Sequence, residues 1–210
     1  PRFTFYRDET ADTRLQPGRV PDETLDAVEY VVVGSVLLAS SPSREAVHDL
    51  VERAEARDCT VVFDLNARPE LWPDADFAAE PRRLFPAVDV VKASPEDLGP
   101  AGFDADGAGE ALLEGVAPAL HDLGPNEGGA AGSTTAAAPW GADEAAHDGY
   151  AVDAVDTTGA GDAFTAGVVA ALVEGTDDLE AVLARANAVA AASTLRAGGM
   201  AALPDPESVR

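Results

Sequence analysis

The sequence predicts an α/β fold built on a mostly parallel sheet, and three observations predict it. Short, apolar, β-branched runs recur at 28–35, 59–64 and 88–91, each with the length of a buried strand. An amphipathic helical stretch lies between the first two. Strand and helix therefore alternate, which is the order that a parallel sheet with crossover helices requires.

The first run, VEYVVVGS, ends in Gly34-Ser35. Ser41-Pro42 then reads as an N-cap with proline at the first helical position. Ala46, Val47, Leu50, Val51 and Ala54 follow at helical spacing and give one apolar face. CTVVFD is the second strand and Val88-Asp89-Val90-Val91 the third. In such sheets the polar residues just past the strand ends line the ligand crevice. Here they are Gly34-Ser35, Asp64 to Arg68, and Lys92 to Asp97. From Gly99 to Gly149 the chain is rich in alanine and glycine and offers no convincing buried strand. Val152 to Asp156 is a short strand candidate, Gly159 to Gly161 a turn, and Asp162 to Leu172 a helix that buries Phe164, Val168, Val169 and Leu172. Leu179 to Ala192 reads as a second, alanine-rich helix, and Pro204 opens a tail.

Composition narrows the function classes. The 210 residues, 46% of them hydrophobic, suffice for one sizeable core, so a single domain over 1–210 is the expectation. No apolar run approaches the roughly 20 residues that span a bilayer, and no signal peptide is evident. The lone Cys59 fits a reducing cytoplasm and reads as a small buried hydrophobe. His48, His121 and His147 are scattered without metal-ligand spacing. A formal net charge of -24 argues against nucleic acid as a partner, because phosphate binding wants a basic stripe. Among the cations are thirteen arginines and a single lysine, Lys92. An acidic, lysine-poor surface suits a salt-accumulating, halophilic cytoplasm, where salt screens the self-repulsion.

The chemistry concentrates in Asp156-Thr157-Thr158-Gly159-Ala160-Gly161-Asp162-Ala163-Phe164. Small residues let the backbone turn sharply at the start of a helix, where free N–H groups and the helix dipole favour an anion. Asp162 in that turn has two readings: it caps the helix, or it takes a proton from a hydroxyl attacking a phosphoryl group. This is not a Walker A loop, which would need Gly-Lys-Ser/Thr.

The full nonapeptide resembles the second signature of the ribokinase-like, or phosphofructokinase-B type, carbohydrate kinases. Other segments resemble fructokinases in the same order: Phe5-Tyr6-Arg7 with Thr10-Ala11-Asp12, Gly34-Ser35, Asp64-Leu65-Asn66-Ala67-Arg68 with Leu71-Trp72, Lys92-Ala93-Ser94-Pro95-Glu96-Asp97, and Ala186-Asn187-Ala188. The resemblance implies a three-layer α/β/α sandwich. It implies an ATP-dependent sugar kinase, most simply fructose to fructose 6-phosphate. In that reading Asp162 is the general base, and the N–H groups of Gly159, Ala160 and Gly161 hold the transferred phosphoryl. Arg7 and Arg68 face the sugar. Asn187, with Gly159, Gly161 and Ser94, borders the nucleotide. Asp97 holds Mg²⁺ through water, and Asp156 belongs to a loop that takes a monovalent cation, K⁺ being the candidate. The partners are a sugar and ATP, with a homodimer as the candidate assembly. Trp72 reads as core, Arg68 as a partner for Asp64 absent a sugar, and Lys92 as a structural ion-pair member.

The sequence departs from the family at two places. The N-terminal third and most of the lid are expected to be missing, with residues 1–20 a remnant of the lid and sugar-contact region. A site without its lid is wet, which weakens electrostatic stabilisation. The T-x-G-x-x-G stretch is also replaced by His121 to Gly129, with a longer glycine spacing. Its preceding strand reads as lost or broken by Pro118 and Gly124-Pro125, so 118–140 reads as a deletion or degraded region. Two alternatives stay open. One is 2-keto-3-deoxygluconate kinase, since two arginines suit a carboxylate. The other is a non-catalytic fragment or sugar-binding remnant. A nucleoside kinase is the weaker option, for the D-x-N-x-R segment is foreign to it.

Overall fold

The computed structural model describes residues 6–72, 77, 79–94, 97, 99–101, 119–121, 134–137, 144–205 and 209. The chain divides into two compact units, Pro1–Pro118 and Ala119–Arg210.

In the first unit the three expected strands form a parallel ladder: β1 (Tyr30–Gly34), β2 (Thr60–Asp64) and β3 (Val90–Ala93). The apolar runs explain the placement. Val61, Val62 and Phe63 of β2 are all fully buried, as a strand covered on both faces requires. The register sets Gly34 beside Asp64 and Asp64 beside Lys92, so the polar ends of the three runs come level at one edge. A short helix, α1 (Asp22–Leu25), precedes β1, and α2 (Ser43–Glu55) links β1 to β2. The α2 helix buries Ala46, Val47, Val51 and Ala54 and packs on β1 and β2, while Leu50 is only half-buried. A six-residue helix, α3 (Ala79–Leu84), leads toward β3.

The start of α2 differs from the expected Ser41 cap. The first helical residue is Ser43, Pro42 is the capping position, and the Ser41–Pro42 bond is cis. Ser41 turns its hydroxyl to the side chain of Glu45, donating to Oε1 at 2.7 Å, and so offers no bond to the first-turn N–H groups. Cys59 is buried, its Sγ 3.4 Å from the Val28 carbonyl. Trp72 is core as expected, edge-on to Phe77 with ring centroids 5.2 Å apart.

The second unit holds strands where none was convincing in sequence. β4 (Ala119–His121), β5 (Thr134–Ala137) and β6 (Glu144–His147) pair antiparallel, β4 with β5 and β5 with β6. The strand thought lost next to Pro118 is thus present as β4, short enough to begin just after the proline. The stretch 122–129 lies outside the described residues. Two helices follow, α4 (Ala160–Val173) and α5 (Leu179–Ser193), and α5 packs over β5, β6 and α4.

Val152 to Asp156 does not form the expected strand. Its donors are taken elsewhere: the N–H groups of Val155 and Asp156 both reach the Thr194 carbonyl at the end of α5, at 2.8 and 3.2 Å. No strand ladder remains for them to join. The buried face of α4 also differs, with Ala160, Ala163, Phe164, Thr165, Gly167, Val168 and Ala171 inside and Val169 and Leu172 half-buried. Small residues turn inward because α4 and α5 approach closely. A Cβ on Gly167 would stand 2.7 Å from the Ala186 Cα. Gly167→Ala therefore destabilises the protein although alanine gains about 1 kcal/mol in a helix. Backbone crowding costs about 1–3 kcal/mol and outweighs that gain. A lower urea midpoint with unchanged slope is the expected reading, and a raised midpoint would refute the close packing.

No helix among the described residues is long and apolar enough to cross a membrane.

Candidate active site

The strand ends of the first unit are tied to one another by side chains. Ser35, fully buried, donates its hydroxyl to the carbonyls of Leu65 and Asn66 at 3.2 and 3.0 Å, joining the end of β1 to the end of β2. Asp97 joins β2 to β3. Its Oδ1 accepts the Ala67 N–H at 2.6 Å, and its Oδ2 accepts both the N–H and the hydroxyl of Ser94, at 2.9 and 2.7 Å. Asp64 and Lys92 form a buried pair, Nζ to Oδ1 3.2 Å, at adjacent register positions. Burial pushes the Asp64 carboxyl above its ordinary value, against the pull of Lys92 and the Asn66 N–H, and the nearby Asp97 adds to the rise.

These ties bear on the expected roles. A carboxylate offers about four acceptor positions, and among the described residues Asp97 accepts three hydrogen bonds while only 5% exposed. Direct metal coordination would displace one of those donors, whereas a metal-bound water fits the remaining lone pair. Among the described residues no three His, Cys, Asp or Glu side chains cluster as a metal site. Arg7 is held by Asp12 and by the Val36 carbonyl, its Nη2 3.2 Å from the latter. Arg68 donates from Nη1 to the Ala67 carbonyl at 2.6 Å. Arg7, Arg68 and Ser94 lie in the strand-end region of the first unit, while Pro95, Glu96 and Phe5 lie outside the described residues.

The second unit carries the glycine turn. Gly159 is the N-cap of α4 at φ 81°, a conformation that a side chain resists, and the helix starts at Ala160. The Ala160 N–H closes a turn onto the Thr157 carbonyl at 3.2 Å, so it is not open to a ligand in this arrangement. The N–H groups of Gly159, Gly161 and Asp162 meet no acceptor among the described residues. They stand at the positive end of a 14-residue helix.

Asp162 lies in the first turn with an exposed side chain. No side chain caps the helix, and among the described residues the Asp162 carboxylate accepts no hydrogen bond. Of the two readings that the sequence left for Asp162, capping has no hydrogen bond here. Asp156 is engaged instead: Oδ1 accepts the Thr158 N–H at 3.0 Å and Oδ2 the Gly198 N–H at 2.8 Å. The Gly198 N–H, with further help from Thr158, holds the Asp156 carboxyl below the usual range. A monovalent ion at this loop would meet a carboxylate already shared between two backbone donors. Asn187 is buried and donates Nδ2 to the Leu183 carbonyl one helical turn back, at 2.8 Å.

Sequence reasoning missed Gly198 and Gly199, which meet the glycine turn. A Cβ on Gly159 would stand 3.3 Å from the Gly199 Cα. The Gly-Gly pair was the available signal, but it sits past the end of a helix, where glycine is commonplace.

Comparison with known proteins adds what geometry does not supply. The family model described as pfkB family carbohydrate kinase matches residues 1–206. The fructokinase of Klebsiella pneumoniae is 33% identical over 211 residues, 96% of this chain and 66% of that protein. The chain spans 55% to 66% of the length of the curated fructokinases of Arabidopsis thaliana and Klebsiella pneumoniae that it matches. Among solved structures, the fructokinase of Xylella fastidiosa with bound ATP superposes with a TM-score of 0.82 at 26% identity, covering 99% of this chain and 68% of that one. An E. coli structure under the name Ribokinase II superposes at 0.81 with 22% identity, covering 93% of this chain and 61% of that one. The fold is therefore the α/β, ribokinase-like fold that the sequence predicts.

Proposed function

The chain belongs to the pfkB family of carbohydrate kinases, and from that premise we propose that it transfers the γ-phosphoryl of ATP to a sugar hydroxyl, with fructose as the first acceptor to try. The observation that carries this reading is Asp162: an exposed carboxylate that, among the described residues, has no hydrogen-bond partner, in the same helical turn as N–H groups that meet no acceptor among them. The carboxylate takes the proton of the attacking hydroxyl, the hydroxyl oxygen bonds to the γ-phosphorus, and the bond from that phosphorus to the ADP oxygen breaks. The N–H groups of Gly159, Gly161 and Asp162 and the helix dipole stabilise the charge on the transferred group. Fructose as acceptor, and ATP as donor, are supported by the likeness to fructokinases, one of them solved with bound ATP. When bound, Mg²⁺ would neutralise phosphate charge, and Asp97 would hold it through water. Arg7 and Arg68 are the proposed sugar contacts and Asn187 the nucleotide neighbour. A salt-rich cytoplasm is the proposed setting.

The test is ADP release with ATP and Mg²⁺, offering fructose and 2-keto-3-deoxygluconate separately, in dilute buffer and in about 1 M KCl, where the screening length falls to about 3 Å. Turnover of fructose in KCl, falling in dilute buffer, is the expected result. Turnover of the sugar acid alone moves the acceptor to the second sugar. No turnover of either in KCl refutes the catalytic reading and favours a sugar-binding remnant.

A further inference from the structure

We propose that the segment 194–199 is a strap that sets the shape of the glycine turn, with Asp156, Gly198 and Gly199 as positioning residues for Asp162 and its neighbouring N–H groups. The proposal rests on the kinase reading above, but its evidence is the packing of two short segments within one unit.

The two segments are joined along their length. The Thr194 carbonyl accepts the N–H groups of Val155 and Asp156, at 2.8 and 3.2 Å. Thr194 is itself anchored, its hydroxyl donating to the Ala191 carbonyl at 2.8 Å inside the last turn of α5. Four residues on, the Gly198 N–H returns a bond to Asp156 Oδ2 at 2.8 Å. Asp156 is thus held at its backbone and at its carboxylate by the same segment, and its other oxygen fixes Thr158.

At the next position the segments meet glycine to glycine, with Thr158 alongside. A Cβ on Gly159 would lie 3.3 Å from the Gly199 Cα, and one on Gly199 would lie 3.4 Å from the Thr158 carbonyl oxygen and 3.5 Å from its Cγ2. Gly198 is at φ 97°, a backbone conformation that brings its N–H to bear on Asp156. Gly159 is therefore required by its approach to Gly199 and by its own φ, and Gly198 by its positive φ, while Gly199 supplies the backbone that Gly159 rests against.

Direction is the consequence for the site. Gly159 sets where α4 begins, and the N–H groups of Gly161 and Asp162 and the Asp162 carboxylate follow within three residues. Val152 to Asp156 has no sheet ladder of its own to hold it, so the strap does the work that a neighbouring strand would do. A turn freed from the strap still contains every reacting group, but not in a fixed orientation. Misplacement of reacting groups by about 1 Å costs on the order of 100-fold in rate.

The experiment compares the full chain with its Asp156→Asn and Gly198→Ala variants in KCl, the second because a side chain resists φ 97°. Amide hydrogen exchange is followed in 155–162 without sugar or nucleotide, alongside kcat and KM. In Asp156→Asn one carboxylate oxygen becomes an NH₂ that cannot accept from Gly198 or Thr158, with no added volume. Exchange in 155–162 is expected to rise roughly fivefold or more, the worth of one lost hydrogen bond, while the α5 interior keeps its protection. A fall in kcat of about 100-fold with KM within a factor of about three accompanies it. Unchanged exchange in 155–162 in a folded Asp156→Asn variant overturns the proposal, and so does raised exchange with unaltered kcat. Gly198→Ala is expected to raise exchange in the same residues, and should it fail to fold, Asp156→Asn decides alone. If the unmodified protein turns over no sugar, the kinase reading falls, and the exchange result still decides whether the strap holds the turn.

Discussion

Asp162→Asn is expected to lower kcat by about 10²–10⁴-fold, the usual worth of a general base, while leaving KM and the fold nearly intact. The separation follows from the geometry. The carboxylate is exposed and, among the described residues, accepts no hydrogen bond, so its removal breaks no internal contact. A negative charge in the first turn of a helix contributes only about 0.3–1 kcal/mol through the dipole, which is the whole stability change expected. Asparagine keeps the volume and polarity of the side chain but cannot take the proton. The measurement is ADP release with the accepted sugar, paired with a urea unfolding curve on the same samples. A variant that retains turnover within about tenfold of the native rate would remove Asp162 from the base role. The helix turn would then act through its N–H groups alone.

Lys92→Met is expected to have the largest effect on stability. Lys92 and Asp64 are 6% and 7% exposed, with Nζ 3.2 Å from Oδ1. Removing one member of a buried pair strands the other, at a cost of about 3–5 kcal/mol. That is a large share of the roughly 5–15 kcal/mol that holds a typical domain folded. The pH dependence identifies the cause. Burial already raises the Asp64 carboxyl above 3.8, and Lys92 opposes that rise. Without Lys92 the folded-state value climbs further. The native form then keeps a proton that the unfolded chain has lost, so stability falls as pH rises through the interval between the two values. It is fully retained only below the unfolded value. The deficit of Lys92→Met relative to the parent should therefore shrink on going from neutral toward acid pH. Adding Asp64→Asn should recover much of it at neutral pH. Equal deficits at both pH values would show that the cost is lost packing rather than a stranded charge.

Legibility followed the physical signal. β2 and β3 are readable because strands buried on both faces leave unbroken runs such as Val61-Val62-Phe63; β1 shows as an equally apolar run although its Val32 is 50% exposed, and the α2 face is readable from Ala46, Val47, Val51 and Ala54. β5 and β6 are Thr-Thr-Ala-Ala and Glu-Ala-Ala-His, with little intrinsic preference for strand. They pair with neighbours close in the chain, β5 with β6 across 138–143, but neither carries an alternating or apolar run that announces a strand. Val152 to Asp156 failed in the opposite direction: it looks extended and β-branched, but its N–H groups are satisfied by Thr194. In the candidate site, the turn at 156–162 was legible because small residues and a carboxylate at a helix start carry their own chemistry. The commitment of Asp97 to Ala67 and Ser94, and of Asp156 to Gly198, was not. The bonds to Ala67 and Gly198 span 30 and 42 residues, the one to Ser94 spans three, and all are made by a residue type that also binds ions. Gly167 was hidden for the same reason, since only the position of Ala186 makes its lack of a side chain necessary.

The burial of Lys92 has a consequence for the outer face of the molecule. It is the chain's sole lysine, and it is turned inward. No side-chain ammonium group is therefore left to face solvent, and every permanently positive side chain at the surface is a guanidinium. Ammonium binds water strongly and guanidinium weakly, so the hydration shell is organised almost wholly by carboxylates. Reagents directed at primary amines find no side-chain target until β3 gives up its hold on Lys92, and acylation of that one group becomes a record of the first unit having opened.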